Sequence, residues 1–90
     1  MKKIVLVGHC GVDSYALEDA VLRATGQDTE IIAINDRETL NLVLEQASLL
    51  LINRVLDGRF NTGDGIDLIR QLSESDHPPA MMLISNYRDA

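Results

Sequence analysis

The sequence is poor in cysteine and in basic residues, and each shortage excludes a class of protein. Cys10 is the single cysteine among the 90 residues, so no disulfide within the chain can hold the fold together. Lysine and arginine together number 8 against 14 aspartate and glutamate residues, which gives a net charge of −6. Nucleic acids and anionic lipids carry charge of the same sign, so we expect neither of them as a partner.

Long apolar runs are also missing, and no stretch is long enough to span a bilayer. The opening MKK passes directly into the short run IVLVG and then into polar residues, which is not the pattern of a secretory leader. The sequence has no repeat, low-complexity tract or interdomain linker. We therefore expect a cytoplasmic protein that does not associate with membranes.

Apolar residues as a class are abundant, at 46% of the sequence. This fraction predicts one globular domain that spans residues 1–90 and buries a core. The core of so short a chain is modest, and an apolar face that the fold leaves uncovered favours association with a second chain. Composition and size therefore favour an oligomer.

Four short apolar runs have the length and the β-branched content of buried strands. They cover residues 4–7, 30–34, 49–52 and 80–84. Between the runs, apolar residues recur at helical spacing in three segments. These positions are Leu17, Ala20, Val21 and Ala24, then Leu40, Val43, Leu44 and Ala47, and finally Ile66, Ile69 and Leu72. The alternation predicts an α/β fold with an open parallel sheet and helices on both faces.

Capping residues mark the starts of the three predicted helices. Asp13 or Ser14 is expected to cap the first helix. Asn35, followed by a glutamate three residues later, resembles a capping box for the second. Asp64 is expected to cap the third, after a turn-rich loop.

Polar residues follow each predicted strand. In parallel α/β sheets the carboxyl ends of the strands lie at one edge, where ligands bind. The residues concerned are Gly8, His9 and Cys10, then Asn35 and Asp36, then Asn53 and Arg54, and finally Ser85 and Asn86. We expect any functional site to lie among them.

Three segments, SLLLINRVLDG, GDGIDLIRQL and MMLISNY, together resemble the receiver domain of response regulators in two-component signal transduction. They are similar to the strand that ends in the phosphoacceptor, the start of the third helix, and the fourth strand with its terminal hydroxyl residue. The resemblance covers nearly the whole chain. It implies a flavodoxin-like open parallel sheet, here with four strands in the order 2-1-3-4 and about three helices.

The same resemblance implies that the phosphorylation site is degenerate. Asn53 falls at the phosphorylated aspartate, and Gly8 and His9 fall at the acidic pair that holds magnesium. An amide is a poor nucleophile towards phosphorus, and magnesium prefers anionic oxygen ligands to glycine and imidazole. Ser85 matches the family's switch hydroxyl. We therefore expect no phosphoryl transfer, no enzymatic activity, no metal and no other cofactor.

A further departure from the family is length, because receiver domains continue through a fourth helix, a fifth strand with an essential lysine, and a fifth helix. If the 90 residues are complete, the fourth strand forms an edge of the sheet. The apolar residues that would need cover are Met81, Met82, Leu83 and Ile84. We expect a second copy of the chain to supply that cover in a homodimer.

The function expected from these features is that of a pseudo-receiver, a signalling module that binds its own copy or another signalling protein. Two alternatives remain open. The first is a small metal- or redox-responsive protein, because His9 and Cys10 are ligands that suit zinc or copper. A dimer would double the number of these ligands. The second alternative is phosphoryl chemistry at another position of the chain. Gly8 and Gly11 also resemble a phosphate-binding turn, but a tight strand-to-helix turn accounts for them better.

Overall fold

The computed structural model describes residues 2–9, 11–26, 28–60 and 62–84, without the side chains of residues 12, 13 and 25. Strands and helices alternate along this part of the chain. They are β1 (Lys2–Val7), α1 (Gly11–Thr25), β2 (Thr29–Ile34), α2 (Arg37–Val43), a 3-10 turn (Leu44–Gln46), β3 (Leu49–Asn53), α3 (Gly65–Ser73) and β4 (Met81–Ile84).

The strands form one parallel sheet in the order β2-β1-β3-β4. This order and the three α-helices of the described residues confirm the flavodoxin-like fold expected from the sequence. The strands pair in parallel because a helix follows each of β1, β2 and β3 and returns the chain to the end of the sheet where the next strand begins. β1 and β3 lie at the centre and carry the most buried side chains.

Alternate residues of the central strands face opposite layers of helix, as the period of a strand requires. Val5, Leu50 and Ile52, each 0% exposed, belong to the larger core cluster, which includes Leu40 of α2 and Leu68 of α3. On the other face the smaller cluster packs against α1. Its buried members are Ile4, Leu6 and Leu51, with Leu17 and Val21 of α1 against them.

The predicted cap of α1 is wrong, because the helix begins at Gly11 and therefore includes residues 13 and 14. Gly8 adopts a φ of 74°, a left-handed conformation that glycine enters without steric cost. The chain thus reverses within a short loop and enters the helix earlier than the polar residues of the sequence indicate.

The predicted cap of α2 is also wrong by a residue, because Asp36 and not Asn35 occupies that position. The Asp36 carboxylate accepts a hydrogen bond from the Thr39 backbone N–H at 2.6 Å. This hydrogen bond is the main cause of a lowered pKa at Asp36, and the nearby Arg59 charge adds to it. The side-chain amide of Asn35 instead donates hydrogen bonds to the backbone carbonyls of His9 and Asp57.

α3 begins as predicted, because the Asp64 carboxylate accepts a hydrogen bond from the Ile66 backbone N–H at 2.9 Å. Its predicted apolar face is partly wrong. Ile66 is 39% exposed, whereas Leu68 is 0% exposed. The helix turns Leu68 and Leu72 towards the sheet, and these two residues are four apart on one face.

Candidate functional site

The loops after β1, β2 and β3 meet at the carboxyl edge of the sheet. The backbone N–H of Gly8 donates to the carbonyl of Ile34 at 3.1 Å, and that of Asp57 donates to the carbonyl of Gly8 at 2.9 Å. Parallel strands produce this convergence, since all of their carboxyl ends point the same way. Gly8, Asn35 and Asn53, which were singled out by their positions after the strands, therefore lie in one region.

Asn53 is the last residue of β3 and is half-buried. Its side-chain nitrogen lies 3.3 Å from the carbonyl oxygen of Gly8 and 2.8 Å from that of Val55. Carbonyl oxygens can only accept hydrogen bonds, so both contacts require the NH₂ group of an amide. An aspartate carboxylate at this position would face the same two oxygens without a proton to donate.

Gly8 is covered by a leucine from the loop after β3. A Cβ atom on Gly8 would lie 2.6 Å from Leu56 Cδ2 and 3.2 Å from Leu56 Cα, closer than packed atoms approach. Leu56 is 8% exposed and belongs to the larger core cluster. The space that a carboxylate at position 8 would need is therefore occupied by a core side chain.

His9 is 2% exposed, and its Nε2 lies 2.8 Å from the carbonyl oxygen of Leu51. Because that oxygen can only accept, Nε2 carries the proton and donates. This nitrogen is therefore engaged in a hydrogen bond within the fold. Cys10, the other member of the candidate ligand pair, lies outside the described residues. Among the residues that are described, no three histidine, cysteine or acidic residues lie together as a metal site.

The loop from Leu56 to Phe60 crosses the carboxyl edge and pairs with the chain after β2. Arg59 donates its backbone N–H to the Asn35 carbonyl at 2.7 Å, and its own carbonyl accepts from the Arg37 backbone N–H at 2.8 Å. Gly58 has a φ of 120°, and a Cβ there would overlap the Asn35 carbonyl. The close approach therefore requires glycine.

The side chain of Asn35 also holds the loop from Leu56 to Phe60 in place. Its side-chain nitrogen donates to the carbonyl of His9 at 3.2 Å and to that of Asp57 at 2.8 Å. Asn35 and Asn53 thus act alike, each joining two backbone carbonyls with one amide. The sequence predicted Asn35 to be a helix cap. Its contacts with the loops were indicated in the sequence only by the turn-rich segment after β3.

The remaining predicted site residues lie near or beyond β4. Ser85 lies outside the described residues. Within the described part of the chain, β4 pairs with β3 alone and forms an edge of the sheet. Met82 is 53% exposed and Leu83 is 37% exposed, while Met81 and Ile84 are half-buried and pack on opposite faces.

Comparison with known proteins supports the fold. No family model matches the sequence, and no curated protein matches it significantly. In the described residues no helix is long and apolar enough to cross a membrane. The structure is similar to that of the MaeR response regulator bound to beryllium trifluoride, with a TM-score of 0.73 and 19% sequence identity over 99% of this chain and 70% of that chain. The chain therefore has the fold of a response-regulator receiver domain.

Proposed function

We propose that this protein is a receiver-like signalling module that does not accept a phosphoryl group and acts by binding protein partners. The observation that carries the proposal is the amide of Asn53 between the carbonyl oxygens of Gly8 and Val55. These contacts require a donor at the position where phosphoryl transfer would require a carboxylate nucleophile.

A second observation supports the loss of cation binding. Magnesium sites consist of oxygen ligands with negative charge, and this end of β1 presents Gly8 beneath Leu56 and the donating imidazole of His9. The positions where acidic side chains would hold the metal are occupied by a glycine beneath a packed leucine and by an imidazole. No observation in the described residues favours the metal- or redox-responsive alternative.

The partner surface that we propose is the edge strand β4, and the partner is a second copy of the chain. Met82 and Leu83 expose apolar surface there, and among the described residues no strand pairs with the outer side of β4. Residues 78–84 include no charged side chain, although the whole chain has a net charge of −6. Two copies therefore repel each other least where these neutral strips meet.

Mass spectrometry of the intact protein tests the first part of the proposal. The protein is incubated with magnesium and a small phosphodonor such as acetyl phosphate, and a response regulator with an intact site serves as the positive control. We expect an unchanged mass for this chain. A stable phosphoryl adduct would refute the proposal and would instead favour phosphoryl chemistry at another position.

Sedimentation velocity at micromolar concentration tests the second part. We expect a dimer that Met82→Glu converts largely to monomer, because two carboxylates would then face an apolar contact. Leu42→Glu is the matched control, since Leu42 is 77% exposed on α2 and the change in charge is the same. A monomeric parent protein, or equal dissociation by both substitutions, would rule out the β4 interface.

A further inference from the structure

We propose that a cleft beside the degenerate site binds the side chain of an arginine or lysine from a protein partner. This inference builds on the proposed partner-binding function and adds a second contact surface to it. The cleft has a volume of about 600 Å³ and lies between α1 and the loop after β3. That volume is in the range of sites that enclose a ligand group, about 300 to 1,000 Å³.

One wall of the cleft is a single face of α1. Gly11, Ser14, Tyr15 and Glu18 line it, and their spacing of three, four and seven residues places them in one row along the helix. Leu17 and the residues in line with it pack on the sheet instead. The helix therefore has an apolar row for the core and a second, polar row that faces the cleft.

The opposite wall is held in place by the backbone. Asp57 donates its N–H to the Gly8 carbonyl at 2.9 Å, and its own carbonyl accepts from the Asn35 amide at 2.8 Å. Neither contact uses the Asp57 carboxylate. The backbone of Asp57 is thus held on both sides by hydrogen bonds that leave its carboxylate available for a ligand.

The charge of the residues that line the cleft determines which kind of group can bind there. Glu18 and Asp57 line the cleft, and no lysine or arginine is among the described residues that line it. The ion pair of α1, Arg23 with Asp19 at 3.2 Å, involves neither of these carboxylates. A cationic group complements this lining, whereas a phosphate or an acidic peptide would be repelled.

Tyr15 adds an aromatic surface beside the carboxylates. It is 79% exposed although it lines the cleft, and exposed tyrosines are enriched at protein interfaces. A guanidinium or ammonium group binds to the face of an aromatic ring as well as to carboxylates. The aliphatic part of an arginine or lysine side chain would pack against the ring, which favours such a side chain over a bare metal ion.

The test uses the intact, isotopically labelled protein and nuclear magnetic resonance titration. The probe is N-acetyl-arginine methylamide, and its matched control is N-acetyl-citrulline methylamide, which has nearly the same shape without the charge. We expect the arginine compound to shift the backbone amide signals of Gly11, Ser14 and Gly58, and the citrulline compound to leave them unchanged. Equal shifts with both compounds, or no shifts at these amides, would overturn the proposal.

Two substitutions complete the test. Asp57→Asn removes the charge while keeping the backbone contacts, and should weaken the arginine probe about two- to fivefold, as expected for an exposed ion pair. Asp28→Asn makes the same charge change in the exposed turn before β2 and should have no effect. Equal weakening by both, or tighter binding of magnesium than of the probe at the same amides, would refute a site for a basic side chain. Dimerisation through β4 is measured separately, so its failure remains distinguishable from failure of the cleft.

Discussion

The side-chain amide of Asn53 donates a hydrogen bond to the backbone carbonyl of Gly8 at 3.3 Å, and thereby joins the end of β3 to the loop after β1. From the sequence resemblance, the two residues are predicted to correspond to the phosphoacceptor and to part of the metal site of receiver domains. In this protein the two positions contact each other directly, so they form a structural junction between two loops.

Asn53→Asp should destabilise the protein without restoring phosphorylation. The carboxylate would face the carbonyl oxygens of Gly8 and Val55, and loss of hydrogen-bond partners for half-buried groups costs about 1 to 3 kcal/mol. Urea unfolding at neutral pH measures the change in the free energy of unfolding. Asn41→Asp is the matched control, since Asn41 accepts a hydrogen bond from Arg37 and an aspartate still can. A stable, phosphorylated Asn53→Asp variant would contradict the expectation.

Gly8→Asp should be more disruptive than a simple charge change. The φ of 74° disfavours a side chain, and the new Cβ would meet Leu56. The left-handed conformation costs about 1 to 2 kcal/mol for a residue with a Cβ, and overpacking adds about 1 to 3 kcal/mol. Thermal unfolding followed by circular dichroism measures the loss. The control is Gly63→Ala, since nothing lies within 4 Å of a Cβ there and its φ is not positive; an equal loss in both variants would refute the Leu56 contact as the cause.

Asp36 should make the stability depend on pH in the acidic range. The Thr39 hydrogen bond lowers the pKa of this carboxyl below its ordinary value of 3.8, so the folded state binds the proton less tightly than the unfolded state. The stabilisation is present above pH 3.8 and is lost as the pH falls through the lowered pKa of the folded protein. Asp36→Asn keeps a capping oxygen without the charge, and should remove this contribution when urea midpoints are compared between pH 3 and pH 6, with Asp28→Asn as control. An unchanged pH profile in Asp36→Asn would contradict this assignment.

The two leucines on α2 provide a test of the larger core. Leu40 is 0% exposed and Leu42 is 77% exposed, although they are neighbours on the same helix. Leu40→Ala should reduce the free energy of unfolding by about 2 to 5 kcal/mol, whereas Leu42→Ala should change it by less than about 0.5 kcal/mol. Denaturant unfolding of the two variants measures the difference. Equal losses would show that α2 packs on the sheet through another face.

Much of the fold could be predicted because strands and helices have different periods. Residues 4–7, 31–34 and 49–52 are apolar at every position, which is typical of strands covered on both faces. The start of α3 at its Asp64 cap could also be predicted, but the starts of α1 and α2 could not. Asp13 and Ser14 are good capping residues, but capping propensity is local, and the helix begins before them, at Gly11.

The sequence by itself determined that Gly8, His9 and Asn53, the positions predicted to match the phosphorylation site of receiver domains, carry no carboxylate. Tertiary structure alone decided what replaces it. The contact of Leu56 with Gly8 and the amide bridges from Asn35 and Asn53 join residues that are far apart in the chain. Such contacts leave no periodic pattern, because they depend on the close approach of three loops that only the assembled sheet brings to one edge.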